Sequence, residues 1–201
     1  NDYAAVTSAD VTATVTDAGV VEMTTGGVTY STVTIGTQIW TAENMRHAVN
    51  SGNTYTYTGD TAENIVTYGL LYDWDAAMDG ATTEGAQGMC ASGWHVPSDS
   101  DWKVLEGHLG MSDAHQESTG WVRGTTQGTQ LKVDGSSKFD GKLAGFHKNT
   151  GSFTKRGGST VFWSSTLDGN PYARNLNIDK ATVHRYTYDV LYGFSARCLK
   201  D

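Results

Sequence analysis

Between residues 26 and 44, GGVTYSTVTIGTQIWTAEN, apolar and polar positions alternate on both sides of Gly36-Thr37. A period of two marks half-buried strands, and a two-residue loop with glycine first suits a type II′ turn, so the stretch predicts a hairpin. The period lengthens in YGLLYDWDAAMDG. There Leu71, Trp74 and Met78 fall at i, i+3 and i+7, which predicts a short amphipathic helix stopped by Gly80. A second helix is predicted in HVPSDSDWKVLEGHLGM. Ser98 is a natural N-cap, Asp99 and Asp101 suit the positive helix start, Trp102, Leu105 and Leu109 make one apolar stripe, and Gly110 ends it. From residue 110 to about 160 the periodicity fades into Gly, Ser, Thr and Asp, and this predicts a long loop region of the kind that usually carries function. Alternation returns in TVFWSSTLD, ARNLNI, ATVHRYTY and YGFSARCLK, with Asp179-Lys180 as the turn between the middle two. Strands, two helices, a long irregular excursion and a terminal antiparallel sheet make the expected class α+β.

The length of 201 residues suits one domain, read as 33–201, behind a Thr-, Ala- and Val-rich lead over 1–32 that resembles an inter-domain approach segment or supplies an extra strand. The opening NDYAAVTSAD lacks the basic-then-apolar pattern of an export signal, so the expectation is a module, monomeric by itself, within a longer surface chain. No apolar run is long enough to insert in a membrane. The net charge of −8, from 14 Lys and Arg against 22 Asp and Glu, argues against nucleic acid, which needs clustered cations, and makes divalent cations more natural partners. The two cysteines, Cys90 and Cys198, admit several roles: free thiols, metal ligands, a catalytic pair or a disulfide. Neither has a partner at zinc-finger spacing, and the acidic, Thr-rich character of a surface protein favours the disulfide.

Several stretches resemble one family in combination: IGTQIWTAEN, YGLLYDWDAAMDG, CASGWHVPSDSDWKVLEGHLG, GWVRGTTQGTQLK, GFHKNTGSF, FWSST and the terminal GFSARCLKD. Together, over about 33–201, they are similar to the Fibrobacter succinogenes major paralogous domain. That resemblance implies a variant of the C-type lectin-like fold, with a disulfide from the cysteine before the second helix to the last strand. It also implies structural places for Trp94, Trp102, Trp163 and Arg197. Some members lie near the tip of bacterial RTX adhesins, which act in cell adhesion and biofilm formation. There they resemble calcium-dependent domains that capture the free C-terminal end of a partner protein. The insertion DGATTEGAQGM before Cys90, and the linker-like lead, favour that secreted, cell-surface group.

Calcium takes six to eight oxygens at loosely fixed geometry, which Asp-, Asn- and Gly-rich loops supply. Three such loops are candidates. The first holds Asp75, Asp79, Glu84 and Gln87, the second Asp168, Asn170, Asn175 and Asp179, and the third Asp134 and Asp140. A bound calcium with an open position would take a peptide carboxylate, and Arg156, Lys155, Arg174 or Arg185 would hold its second oxygen. Trp121 and Tyr172, in irregular surroundings, are candidates for contacting a penultimate side chain or a sugar. Enzyme activity is not expected: the six histidines show no zinc-enzyme spacing, and FWSST lacks a nucleophile elbow. The expected function is calcium-dependent capture of the C-terminal peptide of a host or neighbour cell-surface protein. The alternatives are a calcium-dependent lectin for glycans and a structural module without ligand.

Overall fold

Two glycines, Gly26 and Gly27, take φ of 55° and 74°, the left-handed pair that a tight turn needs, and join β1 (Met23–Thr25) to β2 (Val28–Tyr30). The structure, a computed structural model, describes residues 21–121 and 123–201. Of the segment read as a lead, 1–20 lie outside the described residues, whereas Met23 and Tyr30 of this hairpin are fully buried in the core. The alternation around Gly36 gives β3 (Thr32–Ile35) and β4 (Gln38–Thr41), paired antiparallel with Ile35 opposite Gln38. Gly36 alone of the two loop residues has positive φ, as a type II′ turn requires.

The next stretch departs from expectation. Leu71 belongs to a strand, β6 (Leu71–Tyr72), paired with β5 (Thr54–Tyr55), and only Trp74–Met78 is helical. Asp73 caps that short helix through its carboxylate, so the Leu71–Met78 spacing was a coincidence of two elements meeting at a cap. An unpredicted helix, α1 (Ala62–Tyr68), precedes it, and the short helix is α2. After β7 (Trp94–His95), α3 (Asp99–His108) starts as the sequence says: Ser98 and Asp101 form a reciprocal capping box.

The irregular region contains α4 (Asp113–Glu117), α5 (Gln127–Leu131) and the strands β8 (Ala144–His147) and β9 (Phe153–Arg156). β8 lies beside β10 (Ser159–Asp168), which pairs with β11 (Asn170–Asn177), and β12 (His184–Thr187) closes one edge. The five-stranded order is β12-β11-β10-β8-β9. A second sheet, of order β3-β4-β13-β7, receives the last strand β13 (Leu199–Lys200) between two early ones. The architecture is α+β. Among the described residues no helix is long and apolar enough to cross a membrane.

Two apolar clusters fill the interior. One gathers Trp74, Trp94, Trp163 and Phe194 around the Cys90–Cys198 disulfide, whose Cα atoms are 5.8 Å apart, and the other packs Trp40, Trp102, Phe139 and Phe162. Trp94, Trp102 and Trp163 are each 1% exposed, so all three are packing residues. Such a disulfide is consistent with an oxidising, extracytoplasmic compartment.

Where α3 meets β11 and β12, five charges are buried together. Glu106 takes Arg123 through both oxygens at 2.8 and 2.5 Å and Arg174 at 2.8 Å, while Asp99 takes Arg174 at 2.7 Å and Arg185 at 2.8 and 2.7 Å. Burial raises the Asp99 carboxyl's proton affinity, but Arg185 and Arg174 outweigh it and hold the pKa well below the usual carboxylate range.

A smaller clasp holds the end of the described chain. His95 meets Asp201 at 2.7 Å and Asp101 at 3.3 Å. Its pKa is raised from 6.5, chiefly by the Asp101 hydrogen bond, with burial opposing and Asp201 assisting. A raised folded pKa means the stabilisation is complete below 6.5 and disappears as pH rises through the folded value. Thermal melts between pH 6 and 9 should therefore show a loss of up to about 1 kcal/mol that His95→Gln abolishes. An identical pH dependence in the variant would refute this.

Candidate functional site

The segment 132–142 is the most sharply constrained piece of the irregular region. Beyond α5 the chain folds back through Gly135 N–H to Lys132 C=O at 3.0 Å and Lys138 N–H to Gly135 C=O at 3.2 Å. Asp134, Lys138 and Asp140 take φ of 62°, 59° and 53°, a conformation that costs a side chain energy and that Asp tolerates better than Lys. Phe139 offsets that cost. It is fully buried, with its ring edge-on to Trp40, Trp102 and Phe162 at 5.7, 5.6 and 5.5 Å.

Arg197, from the terminal GFSARCLKD stretch, holds this loop from below. It donates to the carbonyls of Phe139 at 2.9 Å, Asp140 at 3.2 Å and Thr41 at 2.6 Å, and to the Asn44 side chain at 2.8 Å. Burial pulls its pKa down to about 9, so it stays charged at neutral pH. The structural place expected for Arg197 is therefore between this loop and β4.

Above this support opens a cleft of about 380 Å³ whose lining includes Ser31, Glu43, Asp134, Lys138, Asp140 and Lys142. Glu43 accepts from Ser31 N–H at 2.8 Å, Ser31 Oγ at 2.7 Å and Arg46 at 2.6 Å. Burial works against its ionisation, but the Ser31 and Arg46 bonds prevail and lower its pKa. Asp140 meets Lys142 at 2.8 Å. The cleft therefore offers carboxylates and ammonium groups around one opening. The third predicted loop, Asp134 and Asp140, is brought together here with Glu43. Glu43 was missed because it lies some ninety positions earlier, beside Arg46, where it reads as an ordinary surface acid.

The first predicted loop divides. Asp79 and Gln87 line a second cleft, of about 390 Å³, together with His47, Asn50 and Cys90. Asp79 takes φ 47° at the end of α2, and its carboxylate receives Asn50 N–H at 2.9 Å, Ser51 N–H at 3.1 Å and Asn50 Nδ2 at 3.1 Å. Asp75 accepts from Ser51 Oγ at 2.5 Å, and Glu84 is exposed and absent from the lining. These two aspartates order the 50–51 turn.

The second predicted loop is not one loop. Asp168 and Asn170 face each other at one end of the β10–β11 hairpin, Asn175 accepts from Ser159 Oγ in mid-strand at 2.7 Å, and Asp179 lies beyond the other end of β11. Eight extended residues separate the ends by about 26 Å, so no single ion reaches both.

The predicted ligand-binding residues also scatter. Arg174, fully buried, and Arg185, 5% exposed, spend their donors on Asp99, Glu106 and backbone carbonyls and are structural, which corrects their assignment to an incoming carboxylate. Arg156 grips Asp60 with two bonds of 2.5 and 2.6 Å beneath Tyr57, 3.8 Å from that ring, and this pairing lowers the Asp60 pKa to about 2. Lys155 is exposed beside it. Trp121 packs on His184 at 4.7 Å, and Tyr172 donates to Asp168 at 2.9 Å while covering Arg185 at 4.1 Å. None of these six residues lines either cleft.

Among the described residues, no three His, Cys, Asp or Glu side chains stand close enough to share a metal ion. The 132–142 cleft fits calcium in the kind of donor rather than in their number. A hard cation there would take at most two carboxylates and draw its remaining oxygens from backbone carbonyls and water.

A model of the Fibrobacter succinogenes major domain matches residues 33–200. No curated protein and no solved structure matches this chain.

Proposed function

Because the chain belongs to the Fibrobacter succinogenes major domain family, we propose that it is a C-type lectin-like, ligand-binding module of a secreted bacterial surface adhesin. It captures the free C-terminal carboxylate of a partner protein on a host or neighbouring cell, with the help of calcium. The observation that carries this reading is the single opening shared by Asp134, Asp140, Glu43, Lys138 and Lys142. Calcium, when bound, supplies a divalent charge that a carboxylate oxygen can join. Asp134 and Asp140 are the residues that would hold it. Lys138 and Lys142 stand on the same lining and carry the charge to steady the second carboxylate oxygen. Arg197 keeps Phe139 and Asp140 fixed from beneath, so the loop needs little ordering when a ligand arrives. The role is binding; no reaction is assigned to it.

Calorimetric titration with peptides bearing a free or an amidated C-terminus, with calcium or with chelator, tests the proposal. Free-carboxylate peptides should bind at least about tenfold tighter than amidated ones, only with calcium, and Asp134→Asn/Asp140→Asn should lose that difference. Equal binding of both peptides, or indifference to chelator, rejects the mechanism. Binding of glycans in place of peptides would make the module a lectin.

A further inference from the structure

Lys132, half-buried just beyond α5, reaches away from the cleft toward the turn that follows β11. Its ammonium meets three backbone carbonyls: Asn177 at 2.9 Å, Ile178 at 3.2 Å and Lys180 at 2.9 Å. An ammonium group has three N–H donors and no acceptor, so every donor is used on a main-chain oxygen. The turn itself makes the carbonyls converge. Lys180 N–H bonds to Asn177 C=O at 3.2 Å, Asp179 N–H to Asn177 Oδ1 at 2.9 Å, and Ile178 N–H is tied to Gly158 C=O at 2.9 Å. The other wall is equally fixed: Thr129 N–H bonds to Ala181 C=O at 3.2 Å, and Gly128 lies so close to the Thr182 carbonyl that no side chain would fit.

Three neutral, convergent carbonyl oxygens are the donor set that suits a singly charged cation stripped of part of its water. We propose that the 177–180 turn is a carbonyl cage for a monovalent cation, and that the Lys132 ammonium is its covalently supplied occupant. Asp179, read from sequence as a calcium ligand, is on this account part of a turn whose cation the chain already carries. The cage is independent of the cleft and of what the cleft binds. It makes one corner of the irregular region insensitive to which ions surround the protein.

Replacing Lys132 with methionine empties the cage while keeping the apolar stem. Thermal melts of Lys132→Met and the parent are compared at equal ionic strength in choline, sodium, potassium, ammonium and calcium chloride. In choline, which is too large to enter, the variant should melt roughly 4–8 °C below the parent. Sodium, potassium or ammonium should recover at least about half of that gap, measured against the parent in the same salt. A variant that melts like the parent in choline overturns the proposal, as does an equal gap in all the salts, or recovery by calcium alone. If Lys132→Met does not fold in choline, folding on transfer to a monovalent salt supports the cage, and failure in every salt refutes it.

Discussion

Replacing Cys90 and Cys198 together by alanine lowers the unfolding free energy by about 4 to 5 kcal/mol. The bridge closes a loop of sequence separation 108, and in the chain-entropy account a ring of that size removes this much freedom from the unfolded state. Little in the folded state relieves the loss, because Cys90 and Cys198 are 2% and 0% exposed in the larger core cluster, and the Cys198 sulfur touches the Met45 sulfur at 3.8 Å. The bridge also ties together two candidate regions: Cys90 lines the second cleft, and the neighbour of Cys198, Arg197, holds the 132–142 loop. Urea unfolding with and without reductant checks this. The parent in reductant should approach the double variant, and a difference below about 1 kcal/mol between parent and variant would contradict the assignment.

The second large effect is expected at Arg174. Changing it to methionine preserves bulk but strands Glu106, fully buried, and Asp99, 5% exposed, with one arginine fewer. Truncating one member of a buried ionic cluster costs about 3–5 kcal/mol, because the partners keep their desolvation penalty. Lys142→Ala is the control. Its ion pair with Asp140 lies at the surface, where the two side chains are 31% and 38% exposed, so it should cost under about 1 kcal/mol. The two variants also separate by acid response. With its folded pKa depressed, Asp99 stabilises above its ordinary value of 3.8, and that contribution vanishes as pH falls through the folded pKa. Without Arg174 the depression shrinks, so acid unfolding should begin at higher pH than in the parent. Coincident acid transitions would count against the network.

The parts legible in the sequence are those with local causes. Ser98 and Asp101 announce α3 because a capping box closes within four residues, and Gly36 announces its hairpin because positive φ is a property of one position. Helix α1 escaped notice because none of its residues is buried, which leaves no apolar stripe to read; Thr61, its cap, was the available signal. The irregular region hid two strands and two helices because each is short: α4 and α5 have five residues apiece, too few for a helical period to show, and β8 and β9 are four-residue strands paired with each other as a hairpin. Site residues suffered most. Closeness in sequence united Asp168 with Asp179, although an extended strand holds them apart, and it could not join Glu43 to Asp134 and Asp140. Arginines suited to an anion proved to be consumed internally, which only burial reveals.

The place of β13 has a consequence for how the protein is made. Leu199 lies opposite Trp40 on one side and His95 on the other, so the four-stranded sheet has no seam until its latest-synthesised strand arrives. A nascent chain lacking those residues would leave β4 and β7 unzipped, with Thr41 and Gly93 missing their main-chain partners from Cys198 and Asp201. Such dependence on a remote segment slows folding and postpones it until synthesis of the whole domain is over. The bridge is subject to the same delay, because Cys198 adjoins that strand and comes to rest against Cys90 only as the sheet closes around it.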